Sequence, residues 1–332
     1  MQNNITLPNL YSPFQHQFNP HVEVLEATVF DWVLRFNLIA DDSAFKRFSK
    51  AKFYLLIASC YPNCPLAELQ IANDWLSWMM TWDDECDISH LSTQPEVMER
   101  LHQRFIEVLN GAELTSEDSL RSHALADLRQ RMFQREWAAN FHYFVHSVED
   151  YLHGCMQEAI NRSQKNVPDI DTYIQLRRST GAMEPLFELI EFTNHLKIPR
   201  ILKEYEKLKR LKDMTNNIVC WCNDIFSAPK EMASHDVHNL VLVLHYQQGL
   251  SLNEAFQRAA KMHDEEIRNM FDIEASIPTF STSADAELAK YISGLHSWIG
   301  GHLNWYSLSK RYQTVETAEV FALPELQYST SH

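Results

Sequence analysis

Three aspartates, Asp83, Asp84 and Asp87, end a segment in which apolar residues follow helical spacing. The apolar stripe that precedes them consists of Leu69, Ala72, Leu76, Met79 and Met80. Steps of three and four residues carry the stripe on to Asp83 and Asp87, which places these carboxylates on the buried face. Negative charge is disfavoured at a helix C-terminus, and neighbouring acids repel one another unless a cation is present. Because Mg²⁺ prefers hard oxygen ligands, the cluster predicts a magnesium site.

A second set of oxygen ligands is found at Asn223, Ser227 and Glu231, which are spaced i, i+4 and i+8. On one continuous helix these side chains line a single face. Lys230 can reach a phosphate beside the metal as a point charge. Pro229 predicts a kink or a loosely wound turn, since proline removes a backbone hydrogen bond. Taken alone, either motif also fits an exposed helix end or a polar face, but two such motifs in one chain favour metal binding.

The two motifs read D-D-x-x-D at residues 83–87 and N-D-x-x-S-x-x-x-E at residues 223–231, and their pairing and order resemble those of bacterial class I terpene synthases. Residues 7–32 and 238–255 are similar to the same family, so the resemblance covers nearly the whole chain. It implies an all-α, single-domain helical bundle of the class I terpenoid synthase type with a central apolar active-site cavity. It also implies that three Mg²⁺ ions are held against the substrate diphosphate by Asp83, Asp84, Asp87, Asn223, Ser227 and Glu231.

The resemblance assigns a diphosphate sensor and a helix break. The family carries a sensing arginine well before the second motif, and Arg177, with Arg178 as the neighbouring alternative, matches it. The family then breaks this helix one turn later, so that a backbone carbonyl faces the allylic end of the substrate. Gly181 fits that break, because glycine is scarce in this chain and Pro185 follows closely. Thr180 is then the linker residue between sensor and break.

Further diphosphate contacts are implied near the C-terminus and beside the second motif. Arg311 and Tyr312 are similar to the family's R-Y pair, which hydrogen-bonds the diphosphate when the site closes. Together with Arg177 and Lys230, they form the set of residues expected to bind the substrate diphosphate.

The pocket wall is where this chain departs from the family pattern. The family often has an aromatic residue three or four positions before the first motif, where this chain has methionines. Methionine is apolar and polarizable but has no π face to stabilise a cation. We therefore expect other parts of the chain to supply aromatic rings. The predicted pocket residues are Met79, Met80, Phe53, Phe187 and Trp305.

Helices must position these residues, because apolar spacing of three and four dominates the chain. The predicted helical segments are residues 21–36, 66–82, 95–109, 121–144, 145–162, 170–196, 200–226, 240–247, 252–271 and 284–309. Polar breaks with Pro, Ser, Asn or Asp separate several of them. No internal repeat or alternating strand pattern is found. We therefore predict one all-α domain of about ten helices over residues 1–332, with a few flexible residues at each end.

Composition restricts the partners of the protein. The 332 residues are 45% hydrophobic, enough for a large core, and carry a formal net charge of −15. This charge disfavours nucleic acid and anionic membranes, so a bound diphosphate would need metal cations as intermediaries. The longest apolar runs are too short to insert into a membrane, and no signal peptide is recognised. The six cysteines lack a disulfide pattern, which favours reduced thiols in a cytoplasmic protein.

The resemblance implies the Mg²⁺-dependent ionisation of a prenyl diphosphate, with farnesyl diphosphate as the expected substrate, and its cyclisation to a sesquiterpene hydrocarbon or alcohol. A homodimer is compatible with the sequence. One alternative is a chain-elongating prenyl transferase, which would normally show a second aspartate-rich motif. Another is a metal-dependent phosphohydrolase that uses His235-Asp236 or His263-Asp264, which we interpret as surface residues. The third is a non-catalytic helical interaction protein.

The register of the sensor helix can be tested with two arginines. Arg177 shares a face with Thr180 and Gly181, whereas Arg178 points about 100° away. A guanidinium grips two phosphate oxygens, which lysine cannot reproduce. We expect Arg177→Lys nearly to abolish turnover of farnesyl diphosphate and Arg178→Lys to be mild. One charged hydrogen bond is worth roughly 1.5–3 kcal/mol, about one to two orders of magnitude in rate.

The measurement is the turnover rate of both variants at saturating Mg²⁺. A severe Arg178→Lys variant would shift the register by one residue and remove the role of Gly181 as the helix break.

Overall fold

The chain is almost entirely helical. The computed structural model describes residues 7–88, 94–164, 166–234, 236–311 and 327–328. The helices within these residues are α1 (Val22–Arg35), α2 (Asp42–Ala51), α3 (Phe53–Cys60), α4 (Leu66–Ile88), α5 (Pro95–Leu109), α6 (Leu120–Phe133), α7 (Phe141–Gln164), α8 (Ile170–Thr180), α9 (Met183–Thr193), α10 (Arg200–Lys203), α11 (Glu206–Ala233), α12 (Leu240–Gln248), α13 (Leu252–Ala275) and α14 (Thr282–Leu308). Two strands, β1 (Asn166–Val167) and β2 (Gln327–Tyr328), pair in parallel. The all-α fold class is confirmed.

The helix boundaries differ from the prediction at a few places. The predicted segment 121–144 is divided, because α6 ends at Phe133 and α7 begins only at Phe141. Helices α2 and α3 were not predicted, although the apolar run of α3 stands out in the sequence. Helix α11 continues through Pro229 to Ala233, so the second motif lies within one helix.

The predicted helix break at Gly181 is present in the structure. Helix α8 ends at Thr180, Gly181 caps it, and Ala182 takes a left-handed conformation with φ 56° before α9 begins at Met183. Glycine is needed at position 181 for close packing, since a Cβ there would overlap the Sγ of Cys220 on α11. The break therefore lies where the backbone packs tightly against Cys220 of α11.

Helix α11 holds the bundle together, because it packs against α8, α9, α12, α13 and α14. One face of it contributes to the main apolar core. Its other face joins a second apolar cluster with α8, α12 and α13, in which Trp221 and Ile225 pack near Val241 and Phe256. A helix with apolar contacts on both sides is fixed in rotation, and this fixes the direction in which its polar residues point.

Two expectations from composition can be compared with the structure. All six cysteines are buried. Within the described residues, no helix combines the length and the apolarity needed to cross a lipid bilayer.

The packing at Gly181 generates a stability prediction. We expect Gly181→Ala to lower the free energy of unfolding by about 1–3 kcal/mol, because the added methyl overlaps the Cys220 thiol and crowds the carbonyl of Arg177. Urea denaturation measures the change. The double variant Gly181→Ala/Cys220→Ala should recover part of the loss, since it removes the overlapping sulfur. No recovery in the double variant would contradict this account of the glycine.

Candidate active site

A cavity of about 630 Å³ opens between α3, α4, α8, α9, α11 and α14. Its volume falls within the range of about 300–1,000 Å³ that is typical of small-molecule sites. The apolar part of its wall consists of Phe53, Leu56, Leu76, Met80, Met183, Leu186, Val219, Trp298 and Trp305. Residues from both oxygen-ligand motifs form much of its polar part. The cavity therefore combines an apolar compartment with clustered acids.

Three of the five predicted pocket residues, Phe53, Met80 and Trp305, line this cavity. The prediction is wrong for Met79 and Phe187, which are completely buried in the core and do not line the cavity. Helical geometry explains the error, since successive residues point about 100° apart. In both cases a sequence neighbour lines the cavity instead.

The first motif lies near the end of α4 and contacts an arginine from the chain beyond α14. Asp83 and Asp84 line the cavity. The Arg311 Nη2 atom lies 3.1 Å from Asp84 Oδ1 and 3.9 Å from Asp83 Oδ2. The guanidinium carbon of Arg311 also lies 5.2 Å from the ring centre of Phe53. The predicted diphosphate ligand Arg311 thus forms an ion pair with the first motif in this structure.

The second motif contributes unequally to the cavity. Asn223, Lys230 and Glu231 line it. Ser227 is completely buried beside them and is not part of the lining. Its hydroxyl lies 3.5 Å from the carbonyl oxygen of Asp224. The predicted kink at Pro229 does not interrupt the helix. All three ligand positions therefore stay on one continuous helix.

The two arginines of α8 have different partners. Arg177 lines the cavity, donates from Nε to Asp224 Oδ1 at 2.9 Å and donates from Nη2 to Asn223 Oδ1 at 2.9 Å. Arg178 instead donates to Asn217 Oδ1 at 2.8 Å, away from the cavity. Burial alone would lower the pKa of Arg177, but Asp224, together with smaller contributions from Cys220, Tyr173 and Glu158, outweighs burial and holds the pKa well above the usual value. The register thus agrees with Arg177 as the sensor.

Sequence reasoning missed two residues that fix this arrangement. Asp224 is only 1% exposed and accepts hydrogen bonds from Tyr173 Oη, Arg177 Nε and the Leu240 backbone amide. Asn239 caps α12 and donates from Nδ2 to the Asp224 carbonyl oxygen and to Glu231 Oε2, both at 2.7 Å. The conspicuous signal for Asp224 was its place inside the second motif. Asn239 was detectable as a capping residue before an apolar run.

The electrostatics of the second motif suit a bound cation. Burial, together with the nearby carboxylates of Asp224 and Asp236, raises the pKa of Glu231 to about 8. A cation would favour the ionised form of this carboxyl. The residues that offer oxygen atoms around the cavity are Asp83, Asp84, Asn223 and Glu231, with Ser227 adjoining. Carboxylate, amide and hydroxyl oxygens are the donors that Mg²⁺ prefers, so the residues present fit this ion.

Helix α14 holds the amide of Asn223. The Asn223 Nδ2 atom donates to Tyr306 Oη at 2.6 Å, and the Tyr306 ring stacks on Phe226 with 4.4 Å between ring centres. With its nitrogen held by Tyr306, the amide directs its oxygen to the Arg177 side. Tyr306 was not predicted, because 83 residues separate it from Asn223.

A further charged cluster borders the cavity where α7 meets the segment after α11. Arg162 Nη2 lies 3.0 Å from Asp236 Oδ2 and 3.4 Å from Glu158 Oε1. His238 Nδ1 lies 3.2 Å from Asp236 Oδ1. The acids and the imidazole are close enough to hold a metal ion. Arg162 already supplies positive charge to both carboxylates, so the cluster is balanced as an ion-pair network.

Three side chains named from the sequence are not described by the structure, and two other residues lie elsewhere than predicted. The side chain of Asp87, together with Tyr312 and His235, lies outside the described residues. The interpretation of Asp236 and His263 as surface residues is wrong. Asp236 borders the cavity, and His263 is 1% exposed and paired with its neighbouring aspartate. Their ion pairs explain how these polar groups can be buried.

A helical bundle with two oxygen-ligand motifs at one apolar cavity is the architecture of a class I terpene synthase. Residues 74–269, which include both motifs, match the family model described as terpene synthase family 2, C-terminal metal binding. The chain is 50% identical over 318 residues to a germacrene A synthase from Nostoc punctiforme, covering 96% of this chain and 98% of that protein. The chain belongs to the terpene synthase family, whose members are terpene cyclases, and carries its metal-binding domain.

Another relative and two solved structures support the same family and the same fold. A (+)-T-muurolol synthase from Roseiflexus castenholzii is 32% identical over 96% of this chain and 97% of its own length. The crystal structure of germacradien-4-ol synthase from Streptomyces citricolor superposes with a TM-score of 0.80 at 24% identity, over 93% of this chain and 100% of that one. Hedycaryol synthase gives a TM-score of 0.79 at 22% identity, over 92% and 99%. These structural matches establish the fold.

The contact between Asn223 and Tyr306 of α14 can be tested by removing one atom, the hydroxyl oxygen of Tyr306. We expect Tyr306→Phe to lower kcat/KM up to about tenfold and to raise the Mg²⁺ concentration needed for half-maximal rate, because a hydrogen bond of about 0.5–1.5 kcal/mol that orients the amide is lost. Stacking on Phe226 is retained. Steady-state kinetics across a Mg²⁺ titration measure both effects.

Tyr54→Phe is the matched control, since Tyr54 Oη donates to Glu26 and Tyr54 does not line the cavity. Equal kinetic effects in the two variants would contradict a positioning role for Tyr306.

Proposed function

We propose that this chain ionises farnesyl diphosphate in the presence of Mg²⁺ and cyclises the resulting cation to a sesquiterpene hydrocarbon or alcohol, with release of diphosphate. The observation that carries the proposal is the cavity, in which Asp83, Asp84, Asn223 and Glu231 border an apolar wall. The name of the Roseiflexus relative, which specifies farnesyl diphosphate cyclisation, supports this substrate. The 50% identity to a germacrene A synthase supports a germacrene-type hydrocarbon as the product.

Three Mg²⁺ ions are proposed, as the family resemblance implies. The proposed ligands are Asp83, Asp84 and Asp87 from the first motif and Asn223, Ser227 and Glu231 from the second. When bound, Mg²⁺ stabilises the negative charge that develops on a departing diphosphate. The carboxylates of this acidic protein, which has a net charge of −15, would repel a diphosphate. Mg²⁺ ions between the carboxylates and the diphosphate would remove this repulsion.

The protein's own cations are proposed to bind the diphosphate. Arg177, Lys230 and Arg311 border the cavity near the motifs. Arg177 offers a planar pair of donors, and it acts where water is largely excluded, which strengthens its pull on the leaving group. Tyr312 is proposed as the partner of Arg311, as the resemblance implies.

The cation formed on ionisation needs a dry and electron-rich wall. Phe53, Trp298 and Trp305 present rings to the cavity. Ring faces attract a cation, and apolar surroundings exclude the water that would quench it early. Thr180 and Gly181 border the cavity at the end of α8, and we propose that a backbone carbonyl at this break faces the allylic end of the substrate.

The alternatives receive less support. A chain-elongating transferase would join a second prenyl unit, but the second motif is not aspartate-rich, and the named relatives above are cyclases. A non-catalytic interaction protein has no need of clustered acids at a cavity. We further propose a cytoplasmic location, which the absence of a disulfide pattern in the spacing of the six cysteines supports, and a homodimer, which sedimentation can test.

Incubation with farnesyl diphosphate and Mg²⁺ tests the function. We expect diphosphate release and a volatile C15 cyclic product, detected by gas chromatography with mass spectrometry. Excess chelator should abolish both, and added Mg²⁺ should restore them. Asp83→Ala and Asn223→Ala should each lower turnover by about two orders of magnitude or more with helical content intact, because each removes a charge-stabilising ligand.

Glu85→Gln is the matched control. Glu85 belongs to the same turn as Asp83 but pairs with Arg121 at 2.8 Å and does not line the cavity. It should retain the wild-type rate. Full turnover in excess chelator, or a longer prenyl diphosphate formed with isopentenyl diphosphate, would overturn the proposed function.

A further inference from the structure

One polar ring interrupts the aromatic face that α14 presents to the cavity. Trp298, His302 and Trp305 are spaced by four and three residues, so they share one face of the helix, and all three line the cavity. His302 is 6% exposed and packs 4.9 Å from the ring centre of Tyr306. An imidazole thus lies within a wall that otherwise suits a hydrocarbon chain.

The Nδ1 atom of His302 is buried and has no hydrogen-bond partner. Buried polar atoms are nearly always paired, so an orphaned nitrogen needs an explanation. His263 differs in this respect, since it holds its Nδ1 against an aspartate. The Nε2 atom of His238 is also buried without a partner, but its Nδ1 lies against Asp236. Burial lowers the pKa of His238, yet the contact with Asp236 and the charge of Glu158 outweigh burial and raise it, which favours the protonated ring that cannot accept a proton. A structural role for His302 as a paired core residue is therefore not supported by its contacts.

The ring of His302 is neutral at physiological pH. Burial lowers the pKa of His302 to about 3, and the positive charge of Arg177 and the ring of His263 contribute to the shift. A neutral imidazole keeps one nitrogen lone pair available as a proton acceptor. The protons next to a carbocation are strongly acidic, so even a weakly basic nitrogen can remove one.

Neighbouring polar groups at the cavity are less suited to accept a proton. The Nε1 atom of Trp298 is also buried without a partner, but an indole nitrogen only donates. The Cys220 thiol lies 3.1 Å from Asn216 Oδ1, and burial raises its pKa to about 11. The carboxylates of Glu158 and Asp236 are paired with Arg162.

We propose that His302 is a catalytic residue, the base that accepts the proton which ends cyclisation. A C–H bond next to the cationic carbon breaks, and its electron pair forms the new C=C bond. The lone pair of the His302 nitrogen forms the N–H bond, so the positive charge passes to the imidazole. The imidazolium then returns its proton to the released diphosphate or to water. The product of this step is an olefin, and the assignment rests on the proposed function.

The test uses His302→Asn and a matched control, His102→Asn. His102 is also buried with both ring nitrogens unpartnered, but it packs against Trp82 and Phe105 and does not line the cavity. Diphosphate release and the product distribution are measured separately. We expect His302→Asn to keep diphosphate release within about threefold while the share of the main olefin falls on the order of a hundredfold, the lower end for a positioned base.

A labelled substrate provides a second measurement. The wild-type enzyme can take the proton from one of the two terminal methyl groups of farnesyl diphosphate. A substrate deuterated in one of these methyl groups alone then shows, by the loss of deuterium from the product, which group gave up the proton. His302→Asn should lose the selectivity, with alcohols or isomeric olefins taking the place of the main product. His102→Asn should keep both selectivity and product. His302→Gln serves as the second variant if thermal unfolding shows that the first does not fold.

The outcomes separate the two proposals. Normal diphosphate release with an unchanged main olefin and unchanged methyl selectivity in both His302 variants would overturn the base assignment and point to the diphosphate product as the base. A wild-type enzyme that releases no diphosphate from farnesyl diphosphate would overturn the proposed function and this inference with it.

Discussion

The buried carboxylate of Asp224 is the constraint on which the site depends. It accepts hydrogen bonds from Tyr173 and Arg177 on α8 and from the first backbone amide of α12 while it belongs to α11. Removing one member of a buried ion pair leaves an uncompensated charge and costs roughly 3–5 kcal/mol. These partners therefore fix the rotation of α8 on α11. As a result, Arg177 faces the cavity and Arg178 faces Asn217.

The sequence predicted which helices carry chemistry, but it predicted the cavity wall less well. Periodicity placed Met79 and Met80 together on one apolar stripe of α4. A helix buried on several sides has no single apolar face, so spacing cannot tell the side that packs in the core from the side that lines a cavity. Only the neighbouring helices decide this. Phe187 was wrongly placed for the same reason, one residue from Leu186.

Features marked by neighbouring residues could be predicted from the sequence, whereas contacts between residues far apart in the chain could not. The break at Gly181 was predicted, because scarce glycine near a proline is a local signal. The separation of α6 from α7 was missed, since Trp137 lies four residues from both Phe133 and Phe141 and so continues the helical spacing across residues 134–140. The contacts of Tyr306 with Asn223 and of Asn239 with Glu231 join separate helices. No local pattern specifies such pairs, although they orient the ligand atoms.

The arginines around the cavity and a bound cation would compete for the same oxygen atoms. Arg311 lies against Asp84 and Arg177 holds Asn223 Oδ1, so each arginine contacts an oxygen atom of a proposed Mg²⁺ ligand. A diphosphate brings negative charge that the acids alone would repel. Cations at the acids remove that repulsion and compete with the arginines for the same oxygens. We expect each arginine displaced from its acid or amide to pair with a phosphate oxygen, and we therefore expect metal binding and diphosphate binding to favour each other.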